Sequence, residues 1–442
     1  MASYRGGRGG GLPLLGFLSC VAGTMTGLVV ALFRMALQGA DGWRSAWIAR
    51  AHAWPIPGLL LMMAATAALA VLAAWLVKRF SPYAAGSGIP RVEAVAKGQL
   101  APASFSLLLV KFLGGWLVIG GGLALGREGP SVQMGANLGS LLGTRFRVAE
   151  ADHTALLAAG GGAGLATAFN APIAGAVFVL EELIRRFDTR IAIAALGASC
   201  CAIAVARMLL GSAPDFKVAA LTYSGLGSGL LFAGLGTVAG FAGIAYNAAI
   251  LGGLNLAVRI RWRPECRAAA VGAIVGLLAW VAPGLVGGGD AITQRTLSGV
   301  ETLSLLPLFF GVRFVLGPLS YAAGTPGGLF APMLVLGAQL GLLFALVCRF
   351  AFPHFGEPLA SFAVVGMAAF FTAVVRAPIT GIVLVTELTA GFTLLIPMLW
   401  ASFAAMVIPT LFESLPIYDS LSQPKYLREI GGENRPQHVK HR

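Results

Sequence analysis

Charge is the scarcest property of this sequence: only 11% of its 442 residues are Asp, Glu, Lys or Arg, less than half the roughly one quarter found in soluble domains. That excludes an ordinary water-soluble surface. Cysteine is also sparse. Cys20, Cys200, Cys201, Cys266 and Cys348 form no C-x-x-C pair and mostly lie in apolar stretches, which argues against a disulfide frame or a metal centre. No metal or other cofactor is therefore expected. The five histidines (His52, His153, His354, His438, His441) all lie away from the middle of apolar runs. A hydrolase working inside a membrane through a serine would thus lack its base, and no enzyme is expected. Acidic residues are outnumbered 18 to 31 by Lys and Arg, for a net charge of +13. The basic residues sit in short clusters between apolar runs: Arg5 and Arg8, Arg185, Arg186 and Arg190, Arg259 to Arg267, and Lys425 to Arg442. This is the placement that retains loops on the cytoplasmic side of a bilayer, and it does not call for a nucleic-acid partner.

What is plentiful is apolar sequence, 57% of the chain. Runs long enough to cross a bilayer as helices recur at about 12–37, 56–78, 105–125, 153–183, 191–211, 225–257, 267–287, 302–323, 328–351, 361–388 and 391–412. The pattern predicts an all-α polytopic membrane protein, its partner the lipid bilayer. The first run begins at Leu12 after a basic start and shows no small-residue cleavage site, so it reads as a retained helix. Glycine clusters at 120–122, 160–162, 287–289 and 324–328 predict helices that break within the membrane. Irregular backbone survives at that depth only where protein or a water-filled cavity satisfies it.

The second half of the chain repeats the first. Val110-Lys111-Phe112 is matched by Val312-Arg313-Phe314, Pro130 by Pro332, and Gly135 to Gly139 by Gly337 to Gly341. Asn170-Ala171-Pro172 is matched by Arg376-Ala377-Pro378, and Glu181 by Glu387. Helix breaks matched between two halves are the mark of a transporter whose site lies at the repeat interface. The matches alone leave the relative orientation of the repeats open.

Three segments place glycine and then proline at the start of an apolar helix: Gly86-Ser87-Gly88-Ile89-Pro90, Gly126-Arg127-Glu128-Gly129-Pro130, and Gly327-Gly328-Leu329-Phe330-Ala331-Pro332. Proline suits a first helical turn, where its missing N–H is no loss. The free amides and the positive end of the helix dipole favour an anion there. Converging helix starts would bind an anion without the tight grip of a full positive charge, as rapid transit requires. Glu128 is an acid at such a start. Its carboxylate can occupy an anion's seat and leave it on protonation, which would make one side chain both gate and proton carrier. Pairing of Glu128 with Arg127 is the competing reading.

At these residues the sequence resembles the CLC family of chloride channels and proton-coupled chloride transporters. The resemblance rests on GSGIP (86–90), GREGP (126–130), GGLFAP (327–332) and Tyr418 within Leu415-Pro416-Ile417-Tyr418-Asp419. It implies a CLC-type fold of two inverted repeats of broken, tilted helices, one at about 12–211 and one at about 225–412. These lie within a membrane domain at 1–425, followed by a short basic cytoplasmic tail at 426–442. It implies a homodimer in which each subunit has its own pore. It also implies that Ser87 and Tyr418 contact the central chloride by their hydroxyls, with Gly88, Ile89, Gly129, Leu329 and Phe330 lining that anion site. Glu128 corresponds to the gating glutamate, and Glu182 to the internal proton-transfer acid of exchangers. The matched pair Glu181 and Glu387 marks Glu181 as the architectural neighbour. For Glu182, a simple helix-end pairing with Arg185 or Arg186 competes. Glu93 reads either as an aid to water or protons reaching Glu182 or as a surface acid, and Arg91 as a cation near the inner mouth. The expected function is chloride/proton antiport, because acids stand at both positions. A passive chloride channel is the alternative. Ser87 resembles chloride-preferring members. The basic termini and the absence of a recognisable regulatory domain suit a bacterial inner-membrane protein.

Overall fold

The structure, a computed structural model, describes residues 11–218, 221, 223, 225–351 and 357–431. The first half contains α1 (Leu12–Ala51), α2 (Pro55–Phe80), α3 (Ile89–Ala96), α4 (Ser106–Gly120), α5 (Glu128–Arg145), α6 (Glu150–Phe169), α7 (Pro172–Phe178) and α8 (Thr189–Leu210). The second contains α9 (Leu226–Ile260), α10 (Pro264–Val281), α11 (Asp290–Leu297), α12 (Leu306–Ala322), α13 (Phe330–Ala351), α14 (Leu359–Val375), α15 (Pro378–Thr389) and α16 (Leu395–Leu411). Two short helices, α17 (Ile417–Leu421) and α18 (Pro424–Gly431), follow. Residues 432–442, most of the basic tail, and the N-terminal Arg5 and Arg8 lie outside the described residues. Among those described, seven helices are long and apolar enough to cross a membrane.

The halves follow the same order and pack alike. Helix α5 lies on α6 as α13 lies on α14, and α1 lies on α8 as α9 lies on α16, while α2 meets its counterpart α10 and α7 meets α15. The bonds at the junction are reciprocal. Gly126 and Gly328 form an isolated antiparallel bridge, each amide donating to the other's carbonyl at 2.8 and 2.7 Å. The Glu181 carboxylate accepts from the amides of Ile379 (3.0 Å) and Thr380 (2.6 Å), and Glu387 accepts from those of Ile173 (3.1 Å) and Ala174 (2.8 Å). Such an exchange of equivalent contacts requires a two-fold relation. At that bridge the two repeats run antiparallel to each other.

Three expectations need correction. The glycines at 160–162 do not break a helix; they lie inside continuous α6. A β-carbon on Gly135 or Gly139 would collide with the Gly160 or Leu156 carbonyl, so these glycines let α5 and α6 pack backbone to backbone. The apolar runs at 153–183 and 361–388 are each two helices. Asn170 (φ 51°) and Arg376 (φ 70°) turn left-handed at the C-termini of α6 and α14, and Pro172 and Pro378 start the next helices. Helix α1 continues past the expected end near residue 37 to Ala51, with Ile48 and Ala51 still buried. The glycines near 120, 287 and 324–328 do mark helix ends, as expected.

Candidate functional site

The three glycine-proline motifs meet at the junction of the repeats. Gly88 caps α3 with φ 87°, a left-handed conformation that glycine adopts without strain. Helices α5 and α13 begin at Glu128 and Phe330. A β-carbon on Gly129 would stand 2.7 Å from both Ser87 O and Ser87 Oγ and 3.0 Å from Gly328 Cα, so one glycine is in contact with both other motifs. The loops are joined through backbone: the Gly86 amide donates to Thr325 O, and the Gly327 amide to Gly86 O, both at 3.1 Å.

Two buried cations hold these loops. Lys111 Nζ donates to the carbonyls of Ala84 (3.0 Å) and Gly86 (2.7 Å). Its repeat counterpart Arg313 donates to those of Leu285 (3.1 Å), Gly287 (2.9 Å) and Gly288 (3.4 Å). Neither forms an ion pair among the described residues. Pulling carbonyls toward a cation behind the loop turns the adjoining amides the other way, as an anion site needs.

Those amides are free. Gly88, Ile89, Gly129, Leu329 and Phe330 are buried, and among the described residues none of their N–H groups donates a hydrogen bond. Ser87 Oγ, Tyr418 Oη and Glu128 Oε1 are likewise buried without a partner. Leaving so many buried polar groups unpaired costs about 1–3 kcal/mol each, so they identify a place built for a polar guest. Tyr418 reaches this place because α17 folds back against α3; its fully buried ring stacks on Phe330 with centroids 6.0 Å apart. The Ser87 amide is taken by the Tyr321 hydroxyl at 3.4 Å.

Glu128 is fully buried, and its Oε2 accepts from the Ala331 amide at 3.4 Å. The competing pairing with Arg127 is not formed. That guanidinium donates to Asp290 (2.7 Å), Asp215 (3.0 Å) and the Ala168 carbonyl (3.0 Å), and Asp215 also binds Arg34 at 2.8 Å. Glu128 borders an open cavity of about 580 Å³ whose wall also carries Asp41, Arg44, Arg127, Asp290 and Arg295.

Glu182 lies elsewhere, in the wide turn Val179–Leu183 that extends α7. One-turn π segments of this kind are frequent at functional sites. Here the turn sends two adjacent acids different ways: Glu181 to the opposite repeat, and Glu182 inward at 2% exposure. Glu182 pairs with Arg185 at 3.0 Å, as the competing reading foresaw, and Arg185 also pairs with Asp419 at 2.6 Å. Glu93 is not a surface acid. It is buried, Lys97 sits 3.4 Å from its Oε2, and its Oε1 has no partner. Glu182, Arg185 and Arg186 line a second open cavity of about 380 Å³. Arg91 lies 3.5 Å over the Tyr83 ring. No sequence pattern marked Tyr321, Asp215 or Asp290, which reach the site only through tertiary contact, and Lys111 stood out only as a matched repeat position.

The chain belongs to the voltage gated chloride channel family, whose model matches residues 69–410. It is 37% identical over 417 residues to the H(+)/Cl(-) exchange transporter ClcA of Vibrio cholerae serotype O1 (strain M66-2), covering 92% of this chain and 88% of that one. It is 36% identical over 422 residues to the ClcA transporter of Salmonella typhimurium (strain LT2), covering 92% and 87%. Its fold matches the crystal structure of a slow cyanobacterial Cl-/H+ antiporter with a TM-score of 0.89 at 31% identity, over 95% of this chain and 99% of that one. The CLC-type architecture of two inverted repeats is therefore the architecture of this chain.

Proposed function

We propose that this protein is a chloride/proton antiporter, with chloride and protons as its substrates and the central anion bound by the Ser87 and Tyr418 hydroxyls and by the amides of Gly88, Ile89, Gly129, Leu329 and Phe330. The observation that carries the reading is that these buried donors lack partners while Glu128, an acid, stands at a helix start among them. Each donor is a dipole, so the anion is held without a full opposite charge in contact and can leave. Ionised Glu128 competes for the same positive helix end. Protonation removes that attraction, the side chain withdraws toward the 580 Å³ cavity, and an anion takes its place. Anion and proton thereby use the site in alternation.

Protons reach Glu128 from the other face through Glu182, with Glu93 as its buried neighbour. Arg185, Arg186 and Arg376, lining that cavity without a carboxylate excess, support a cytoplasmic position for it by the positive-inside rule. Relatives named as H(+)/Cl(-) exchangers and two acids in place favour exchange over a passive channel. The protein works as a homodimer in a bacterial inner membrane and needs no cofactor. Reconstitution into liposomes with a pH electrode tests the reading: an outward chloride gradient should drive proton uptake, and chloride flux with no proton movement would identify a channel.

A further inference from the structure

We propose that Tyr321 is a third hydroxyl ligand of the central anion, so that an anion seated by Ser87 receives O–H bonds from two phenols, Tyr418 and Tyr321. The inference rests on the anion-exchange reading above and deepens it. Tyr321 is 2% exposed and lies in the last turn of α12, just before the Gly324-Thr325-Pro326 turn. Backbone bonds on both sides of Gly86 fix that turn against the Ser87 loop, so the position of the phenol is set by the fold.

Its hydroxyl accepts the Ser87 amide at 3.4 Å, beyond the usual range of about 2.7–3.2 Å. As an acceptor it is weakly used. As a donor it is unused, because among the described residues no acceptor takes its proton. The Tyr418 and Ser87 hydroxyls lie close to each other and to Tyr321, yet neither has a partner of good hydrogen-bond geometry. Three buried O–H groups gathered about Ser87, none donating a hydrogen bond of good geometry among the described residues, call for an acceptor from outside. An anion supplies several lone pairs. A phenol is also rigid, with little side-chain freedom to lose on binding, so its donor comes largely pre-placed.

The opposite role is that Tyr321 only props the Ser87 loop and blocks its amide, and the two roles differ in sign. Chloride titration by calorimetry on detergent-purified protein separates them. If Tyr321 is a ligand, Tyr321→Phe lowers chloride affinity roughly tenfold, the usual size for one hydrogen bond to a charged partner. Replacing Tyr321 by a fluorinated tyrosine keeps the shape, strengthens the donor and weakens the acceptor, so chloride should bind more tightly. Affinity unchanged or raised in Tyr321→Phe, or lowered in the fluorinated protein, would overturn the proposal. Ser87→Ala and Tyr418→Phe, measured alongside, tell the two readings apart. If they weaken chloride binding and Tyr321→Phe does not, only the third ligand is wrong; if none of the three variants changes it, the anion site itself is misplaced and this inference falls with it.

Discussion

The two repeats share one backbone and differ in what they mount on it. In both, a buried cation on the helix after the loop, Lys111 or Arg313, holds glycine carbonyls, and a glutamate, Glu181 or Glu387, binds two amides at the start of the opposite repeat's helix. At the helix starts the repeats part. Where the first has Glu128 and Gly129, the second has Phe330 and Ala331. Where the first has Ser87, the second has Gly289, followed by Asp290, which holds Arg127 beside the 580 Å³ cavity. The lesson is that symmetry builds the meeting of helix ends, and breaking it at a few side chains gives that meeting a buried acid on one side and hydroxyl donors on the other.

The symmetry is broken most severely at Glu128. Glu128→Gln should abolish proton coupling while chloride flux continues, because Gln has the shape of the protonated acid and carries no proton. Phe330→Leu, at the matching position, should keep the coupling. Proton uptake measured with a pH electrode during chloride-driven exchange checks both, and coupling surviving in the Glu128 variant would remove Glu128 from the proton path. Next in size, Glu182→Gln should spare chloride flux and stop proton transfer, since Glu182 lies at the second cavity, away from Glu128. Equal loss of both fluxes would place it on the anion path instead.

Gly129→Ala sharpens the comparison sterically. Its new methyl meets Ser87 and Gly328, so it should cost about 1–3 kcal/mol through overpacking and slow chloride flux. Ala331→Gly at the matching position should do neither; detergent melting and efflux assays together read this out. The smallest effect belongs to the symmetric pair. Glu181→Gln and Glu387→Gln should each lower stability by about 1 kcal/mol and leave the proton-to-chloride ratio unchanged. A changed ratio in one but not the other would mean that the pair is not purely architectural.

The motifs at Ser87, Glu128 and Phe330 were legible because each needs particular residues in a short span, glycine to turn and proline to start, whereas Tyr418 was singled out only through the family resemblance. The long apolar helices were legible by length. Helix α5 was expected from its glycine-proline start but is not the apolar helix the motif suggested, because Ser131, Gln133, Asn137 and Ser140 are buried against protein, where hydropathy no longer reports position. Eight-residue α11 was too short and polar to register. The glycines at 160–162 misled because close helix packing and a helix break draw on the same residue. Asp215 and Asp290 were invisible because their partner Arg127 lies 88 and 163 positions away in sequence, a separation that no local pattern spans.

The central claim is that anion and proton share one gate at Glu128, and the most direct test is the reversal potential of reconstituted protein with a proton gradient imposed at fixed chloride. The account predicts that the potential moves with the proton gradient in the wild type and returns to the chloride equilibrium potential in Glu128→Gln. A wild-type potential fixed at the chloride value whatever the pH difference would contradict it, leaving a passive pore in the same fold.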